Sequence, residues 1–139
     1  MEKYTWIEKY SVGVKEIDRQ HQHFLDIVDE VIKMTGGKPI SVEDLLAKIT
    51  DLNDYAIYHF ETEEKIFKDY DYSDAKEHIE AHEAYREQMD QFWIQAKKEG
   101  ADTKKVAFQI AEFAGSWLIN HIMIMDQKYT DFMHDNGIK

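Results

Sequence analysis

Apolar side chains recur along most of the chain at alternating steps of four and three residues. The first stretch with this spacing contains Ile17, His21, Phe24, Val28 and Val31. Three later stretches repeat it, over residues 45–70, 78–96 and 106–121. Such spacing places the repeated positions on one face of an α-helix that packs against neighbours. The pattern therefore predicts four amphipathic helices.

Turn-forming residues separate these stretches. The breaks occur at Gly13, Gly36–Pro39, Tyr70–Ser73, Gly100–Asp102 and Asn136–Gly137. They predict helices over about 18–36, 41–69, 73–99 and 103–133, with N-terminal caps at Ser41, Ser73 and Asp102. Because short connections join antiparallel neighbours, we expect an all-α, up-down-up-down antiparallel four-helix bundle.

An extended N-terminal arm is predicted before Gly13. We expect the arm to run along the outside of the bundle, with Trp6 and Tyr10 anchoring it through burial of their rings. A length of 139 residues suits a single domain with a sizeable core. We therefore expect residues 1–139 to form one domain.

Composition narrows the class of protein. The net charge of -11 argues against binding to nucleic acid, which requires a basic surface. We expect no membrane partner, because no run approaches the roughly 18 apolar residues of a membrane span. The polar N-terminus does not resemble a signal peptide, so the expected location is cytoplasmic. The chain has no cysteine, which excludes disulfides and thiolate metal sites.

Several polar residues occupy positions of the apolar stripes. They are His21, His59, Glu63, His78 and His82. Burying these groups without partners costs several kcal/mol, and a bound cation would offset that cost. Two pairs have i, i+4 spacing, which places both members on one helix face. At about 1.5 Å per residue, the depths of these residues and of His121 along their helices are compatible with one layer of the bundle.

Spacing alone does not assign Asp126 to this set. It follows His121 by five residues, which is about 140° around an ideal helix. A π-bulge near residues 121–126 would bring both side chains to one side, whereas a regular helix would leave Asp126 at the surface.

Five imidazoles and two carboxylates without a thiolate suit metals such as Fe, Zn, Cu or Mn. Seven protein ligands are more than one ion usually takes, so the set favours two ions bridged by the carboxylates. The site is poorer in carboxylates than the ferritin-type di-iron sites, which use Glu-x-x-His motifs. Such a histidine-rich pair is better suited to reversible O₂ binding than to strongly oxidising chemistry.

The order of motifs resembles the hemerythrin family, specifically its single-domain bacterial members. The similarity begins with Trp6, Tyr10-Ser11-Val12-Gly13-Val14 and Ile17-Asp18-Arg19-Gln20-His21. It continues through His59-Phe60-Glu61-Thr62-Glu63-Glu64, the pair His78 and His82, and residues Trp117–Asp126. Together these motifs extend from Trp6 to about Phe132.

The resemblance implies a non-haem di-iron centre with an oxo or hydroxo bridge that binds O₂ reversibly. It assigns His78, His82 and His121 to one iron, and His21 and His59 to the other. Glu63 and Asp126 would bridge the two irons, so the resemblance makes Asp126 a predicted ligand.

Flanking residues could exclude water from such a site. The candidate walls of an O₂ pocket are Phe24, Leu25, Phe60, Trp117, Leu118 and Ile122. Glu61 and Glu64 could support ligand imidazoles, although a solvated helix face is the stronger expectation for both. His23 and His134 do not fit the ligand pattern and are expected at the surface.

Four functions compete at this point. The first is O₂ storage, delivery or scavenging by a protein that is not an enzyme. The second is an O₂ or redox sensor that acts through a separate partner protein. The third is a di-iron peroxidase or oxidase, which is less favoured because no further general acid or base is evident among the inward-facing residues. The fourth is metal buffering.

Overall fold

The computed structural model describes residues 4–139. The helices are α1 (Lys15–Thr35), α2 (Val42–Asp69), α3 (Ala75–Lys97), α4 (Thr103–Ile124) and α5 (Thr130–Asp135). Two 3-10 turns, Glu8–Tyr10 and Asp126–Tyr129, precede α1 and follow α4. The described residues contain no β-strand. The predicted all-α four-helix bundle is confirmed.

The four long helices form a ring of neighbours. Helix α1 packs against α2 and α4, and α3 packs against the same two helices. The stripe residues supply the core, in which Phe24, Leu52, Ala96 and Leu118 are fully buried. None of the helices within residues 4–139 has the length and apolar character that crossing a bilayer requires.

Two of the three predicted N-terminal helix caps are present. The side chain of Ser41 accepts a hydrogen bond from the Asp44 amide (3.0 Å), and that of Asp102 accepts one from Lys105 (3.1 Å). The prediction for Ser73 was wrong, because α3 begins at Ala75. Asp71 adopts a left-handed conformation with φ of 55°, so residues 70–74 form a tight turn that includes Ser73.

Helix α4 is shorter than the predicted span to residue 133. Its last α-helical hydrogen bond joins the Met125 amide to the His121 carbonyl (2.8 Å). The following bond joins the Lys128 amide to the Met125 carbonyl (3.1 Å), which is the spacing of a 3-10 turn. The predicted π-bulge is therefore replaced by a helix end and a tighter turn.

The N-terminal arm lies against α4, and its most buried aromatic residue is not one of the predicted anchors. Trp6 and Tyr10 are partly buried and pack edge to face, with ring centroids 5.8 Å apart. Tyr4 is only 7% exposed, and its hydroxyl donates to Glu112 Oε2 (3.2 Å). Its ring lies directly over Gly115, where a Cβ atom would approach the ring to 2.6 Å. The glycine thus makes room for the arm.

Replacing Gly115 with alanine should therefore disturb the arm. We expect Gly115→Ala to lower the free energy of unfolding by about 1–3 kcal/mol, the usual cost of overpacking. In a Tyr4→Ala background the same change should instead raise it by about 0.5–1 kcal/mol, because alanine is the better helix former. Urea denaturation of the four proteins measures both effects. Equal effects in the two backgrounds would contradict the proposed contact.

Candidate metal centre

The structure brings all seven predicted ligand residues together inside the bundle. His21 comes from α1, His59 and Glu63 from α2, His78 and His82 from α3, and His121 from α4, while Asp126 lies in the 3-10 turn that follows. Each is at most 5% exposed. The inward positions follow from the helical stripes, which carry these residues between apolar ones.

The seven side chains form two overlapping groups that could each hold a cation. One group contains Glu63, His78, His82 and His121, and the other contains His21, His59, Glu63 and Asp126. Within each group, one nitrogen or carboxylate oxygen per residue lies within 4.8 Å of all the others. Glu63 belongs to both groups, and the three-and-two division of the imidazoles is the one that the resemblance implies.

Both carboxylates face imidazoles of both groups. Asp126 Oδ1 lies 2.9 Å from His78 Nε2 and 3.0 Å from His121 Nε2, while its Oδ2 lies 3.0 Å from His21 Nε2. Glu63 Oε1 lies 3.2 Å from His82 Nε2. The same oxygen is 3.6 Å from the Nε2 atoms of His59 and His78. This is the placement that bridging carboxylates require.

The end of α4 brings Asp126 into the cluster. On a continuing α-helix, Asp126 would lie about 140° from His121. The backbone instead turns at Met125, with φ of -107° and ψ of -51°, and enters a 3-10 turn. The change of helix type redirects the chain, so that Asp126 is fully buried and contacts the ring of His121.

Many polar atoms of the cluster have no hydrogen-bond partner. Among the described residues, these atoms are both ring nitrogens of His21, Nε2 of His59 and His82, Oε1 of Glu63, and both carboxylate oxygens of Asp126. Buried polar atoms without partners each cost about 1–3 kcal/mol. Imidazole nitrogens and carboxylate oxygens that converge in this way fit metal ions such as iron or zinc, which would coordinate their lone pairs.

Neighbouring imidazoles keep the two carboxyl groups of the cluster ionised. Burial acts to raise the pKa of both carboxyl groups, but neighbouring imidazoles hold the pKa of Glu63 and of Asp126 well below the usual range. Burial alone would lower the pKa of His78, yet the nearby carboxylates of Asp126 and Glu63 raise that pKa to about 9. Burial lowers the pKa of His59 to about 3. Two ionised carboxylates thus lie in the core, where cations would offset their charge.

Three further residues hold the ligand side chains in place. His59 Nδ1 is 2.8 Å from Gln20 Oε1, and Gln20 is only 1% exposed. His82 Nδ1 is 2.8 Å from Glu64 Oε2, so Glu64 supports a ligand and the expectation of a solvated side chain was wrong. Tyr129 donates its hydroxyl proton to Glu63 Oε2 (2.5 Å). Such partners fix the orientation of ligand groups and tune their basicity.

Sequence reasoning missed Gln20 and Tyr129, although each leaves a weak signal. Gln20 lies three residues after Ile17 and four before Phe24, so it belongs to the buried stripe of α1. Tyr129 follows Asp126 by three residues and precedes the buried Met133 by four. Neither spacing reveals the partner on another element.

The six predicted pocket-wall residues differ in how closely they contact the cluster. Phe60 stacks on His82 with centroids 4.0 Å apart, Trp117 stacks on His121 at 4.4 Å, and Phe24 meets His59 edge to face at 6.4 Å. The aliphatic walls Leu25, Leu118 and Ile122 are buried in the core. Trp117 is the one wall residue that is only partly buried.

Tyr85 completes this aromatic cage and was not predicted. Its ring lies 5.6 Å from Phe60, 4.7 Å from Trp117 and 5.9 Å from Phe24. The helical stripe of α3 already placed Tyr85 inward, but its contacts with three other helices are visible only in the fold.

The remaining two histidines lie outside the cluster. His23 is exposed, and its ring packs on Tyr55 with centroids 4.4 Å apart. His134 Nε2 lies 2.7 Å from the Gly13 carbonyl oxygen, so this side chain connects α5 with the arm.

A four-helix bundle with a buried cluster of histidines and carboxylates defines a cation-binding protein. The family described as "Hemerythrin HHE cation binding domain" matches residues 12–132. The chain therefore belongs to the hemerythrin family.

Named relatives have low sequence identity to this chain, but the alignments cover most of both proteins. A bacteriohemerythrin of Clostridium acetobutylicum is 22% identical over 130 residues, covering 92% of this chain and 99% of the relative. A bacteriohemerythrin of Pseudomonas aeruginosa is 25% identical over 127 residues, and the alignment covers 91% of this chain and 79% of the relative. A hemerythrin-like protein of Naegleria gruberi is 24% identical over 126 residues, and the alignment covers 91% of this chain and 90% of the relative.

The contact between Gln20 and His59 can be tested by substitution. We expect Gln20→Ala to lower metal affinity by about 10- to 100-fold, because His59 loses the partner that orients its ring. Gln22→Ala is the matched control, since Gln22 is exposed on the same helix. Competition with a chelator measures the affinity of each variant. Equal affinities for the two variants would show that Gln20 does not position His59.

Proposed function

We propose that this chain binds O₂ reversibly at a non-haem di-iron centre, as a cytoplasmic protein for oxygen storage, delivery or scavenging. The observation that carries the proposal is the pair of overlapping ligand groups that share Glu63 and differ in their number of imidazoles. Family membership and the donor set support iron in this cluster. When bound, two ferrous ions would supply the electrons on which reversible O₂ binding depends.

The unequal distribution of imidazoles supports a ligand-binding role. His78, His82 and His121 would hold one iron, whereas the other would receive only His21 and His59 besides the carboxylates. The group with fewer imidazoles leaves more of the coordination sphere to an external ligand. Gln20 keeps the His59 ring oriented at that group through the contact with Nδ1 (2.8 Å).

The apolar surroundings support binding without turnover. Phe60 and Trp117 each stack on a predicted ligand imidazole. Tyr85 packs against both of these rings, and Phe24 packs against Tyr85. We expect these rings to limit the access of water, which would otherwise supply protons to bound oxygen. Burial raises the pKa of Tyr85, and the pKa of Tyr129 is raised well above its usual value, so both phenols are poor acids. We therefore propose a binding protein rather than a peroxidase or oxidase.

Spectroscopy of oxygenation cycles tests the proposed activity. The iron-loaded protein is reduced to the diferrous form, exposed to O₂, and then returned to an oxygen-free atmosphere. We expect a visible absorption band that appears with O₂ and disappears after its removal over repeated cycles. Irreversible conversion to the diferric form in the first cycle would contradict reversible carriage and favour a sensor or an enzyme.

Iron content tests the shared carboxylate. Glu63→Ala should leave fewer than two irons per chain, because both ligand groups lose the carboxylate that they share. Glu61→Ala is the control, since Glu61 is exposed on the same helix and carries the same charge. Iron and protein are quantified after loading and desalting. Two irons per chain in Glu63→Ala would refute the bridging role.

A substitution in the aromatic cage that leaves every predicted metal ligand in place tests the shielding role of the cage. Phe60→Leu should make the oxygenated form decay several-fold faster, because the stacked ring no longer shields His82 from water. Phe108→Leu is the matched control, since Phe108 is 53% exposed. The decay rate in air at constant pH is the measurement. Equal decay of both variants would show that Phe60 does not protect the site.

A further inference from the structure

The segment that follows α4 holds the N-terminal arm by side-chain hydrogen bonds. Three of its side chains pair with backbone carbonyl oxygens of the arm: Gln127 with that of Lys9 (2.8 Å), Thr130 with that of Val12 (2.7 Å), and His134 with that of Gly13 (2.7 Å). The three side chains are three and four residues apart, which places them on one side of a helical segment. None of them belongs to either ligand group of the metal centre.

Two other residues of the same segment contact the metal cluster. Asp126 is fully buried, and its Oδ2 lies 3.0 Å from His21 Nε2. Tyr129 is also fully buried and donates to Glu63 Oε2. The segment therefore connects the arm with the cluster.

The arm has a second attachment at the start of α1. The Ser11 hydroxyl donates to Asp18 Oδ2 (2.5 Å), and the Val12 amide donates to Asp18 Oδ1 (2.8 Å). Asp18 precedes His21 by three residues, which is about one helical turn. This attachment thus also lies beside a residue of the cluster.

The arm and a bound cation would link the same two elements. His21 and Asp126 belong to one ligand group, so a cation there would join α1 to the 3-10 turn after α4. Residues 11–13 of the arm join α1 to the segment after α4 by hydrogen bonds. Two links between the same elements reinforce each other, because the first restricts the motion against which the second must form.

We propose that arm residues 9–13 position the ligand group of His21, His59, Glu63 and Asp126, so that docking of the arm and binding of a cation stabilise each other. By linkage, a bound cation lowers the population of released arm by the factor by which the docked arm raises cation affinity. The proposal requires a cation in the cluster, but it does not depend on O₂ binding.

Amide hydrogen exchange followed by NMR tests the effect of the cation on the arm. The Val12 amide reports arm release, because its partner Asp18 lies on α1. The Asp44 amide is the reference, since it pairs with Ser41 at the start of α2. The full chain is compared without metal and with diamagnetic zinc, which accepts imidazole and carboxylate donors. We expect zinc to slow exchange of Val12 several-fold more than that of Asp44, and equal slowing would overturn the proposal.

A substitution at Thr130 tests the effect of the arm on the cation. Thr130→Val removes the hydroxyl that donates to Val12, so it should speed exchange of the Val12 amide and weaken zinc binding several-fold. Thr50→Val is the matched control, because exposed Thr50 donates to the Leu46 carbonyl within α2. Competition with a chelator measures zinc affinity.

The two histidines outside the cluster provide a second matched pair. His134→Ala should also weaken zinc binding several-fold, because it removes the contact with the Gly13 carbonyl. His23→Ala should leave zinc affinity unchanged, since the His23 ring packs on Tyr55 instead.

Equal zinc affinity in the arm-contact variants and their controls would overturn the proposal. Faster exchange of the arm with unchanged zinc affinity would also overturn it, because linkage requires both effects. Failure of the unmodified chain to bind zinc would overturn it together with the assignment of a cation site. Irreversible oxidation by O₂, in contrast, would contradict only the proposed oxygen-binding function.

Discussion

The structure depends on two ionised carboxylates in the core of a small helical bundle. Glu63 and Asp126 are fully buried, and imidazoles from all four long helices surround them. Burying such charges is unfavourable unless partners offset the cost of desolvation. The imidazoles alone leave several oxygen and nitrogen atoms without partners. Bound cations would pair with these atoms and would thereby stabilise the core.

This constraint explains the polar residues around the cluster. Gln20 and Glu64 accept hydrogen bonds at the outer nitrogens of His59 and His82, which leaves the inner nitrogens of these rings aimed at the cluster. Tyr129 donates to Glu63 Oε2, whereas Glu63 Oε1 lies 3.2 Å from His82 Nε2. Aromatic rings then cover the remaining surface. The polar centre is thus contacted both by orienting polar partners and by aromatic rings that stack directly on its imidazoles.

The sequence predicted the helices and the residues that meet in the buried cluster, because both depend on position along a single helix. A spacing of three and four residues determines which face of a helix a side chain occupies, whatever the neighbouring helix is. This is how His59, Glu63, His78 and His82 were assigned to the interior. The prediction failed where the backbone leaves its regular period. The turn at Met125 has no adjacent glycine or proline, and the turn around Asp71 moved the start of α3 past Ser73.

The sequence by itself determined the number of helices, their apolar faces and the set of residues that meet inside the bundle. Only the tertiary structure decided how Asp126 reaches the cluster, which oxygen of each carboxylate faces which imidazole, and that Glu64 supports His82. It also decided that Tyr85 packs against aromatic rings from three other helices. The physical reason is that periodicity specifies a direction from one helix axis. Contacts between helices depend on their crossing and axial register, which side-chain packing across the whole bundle sets.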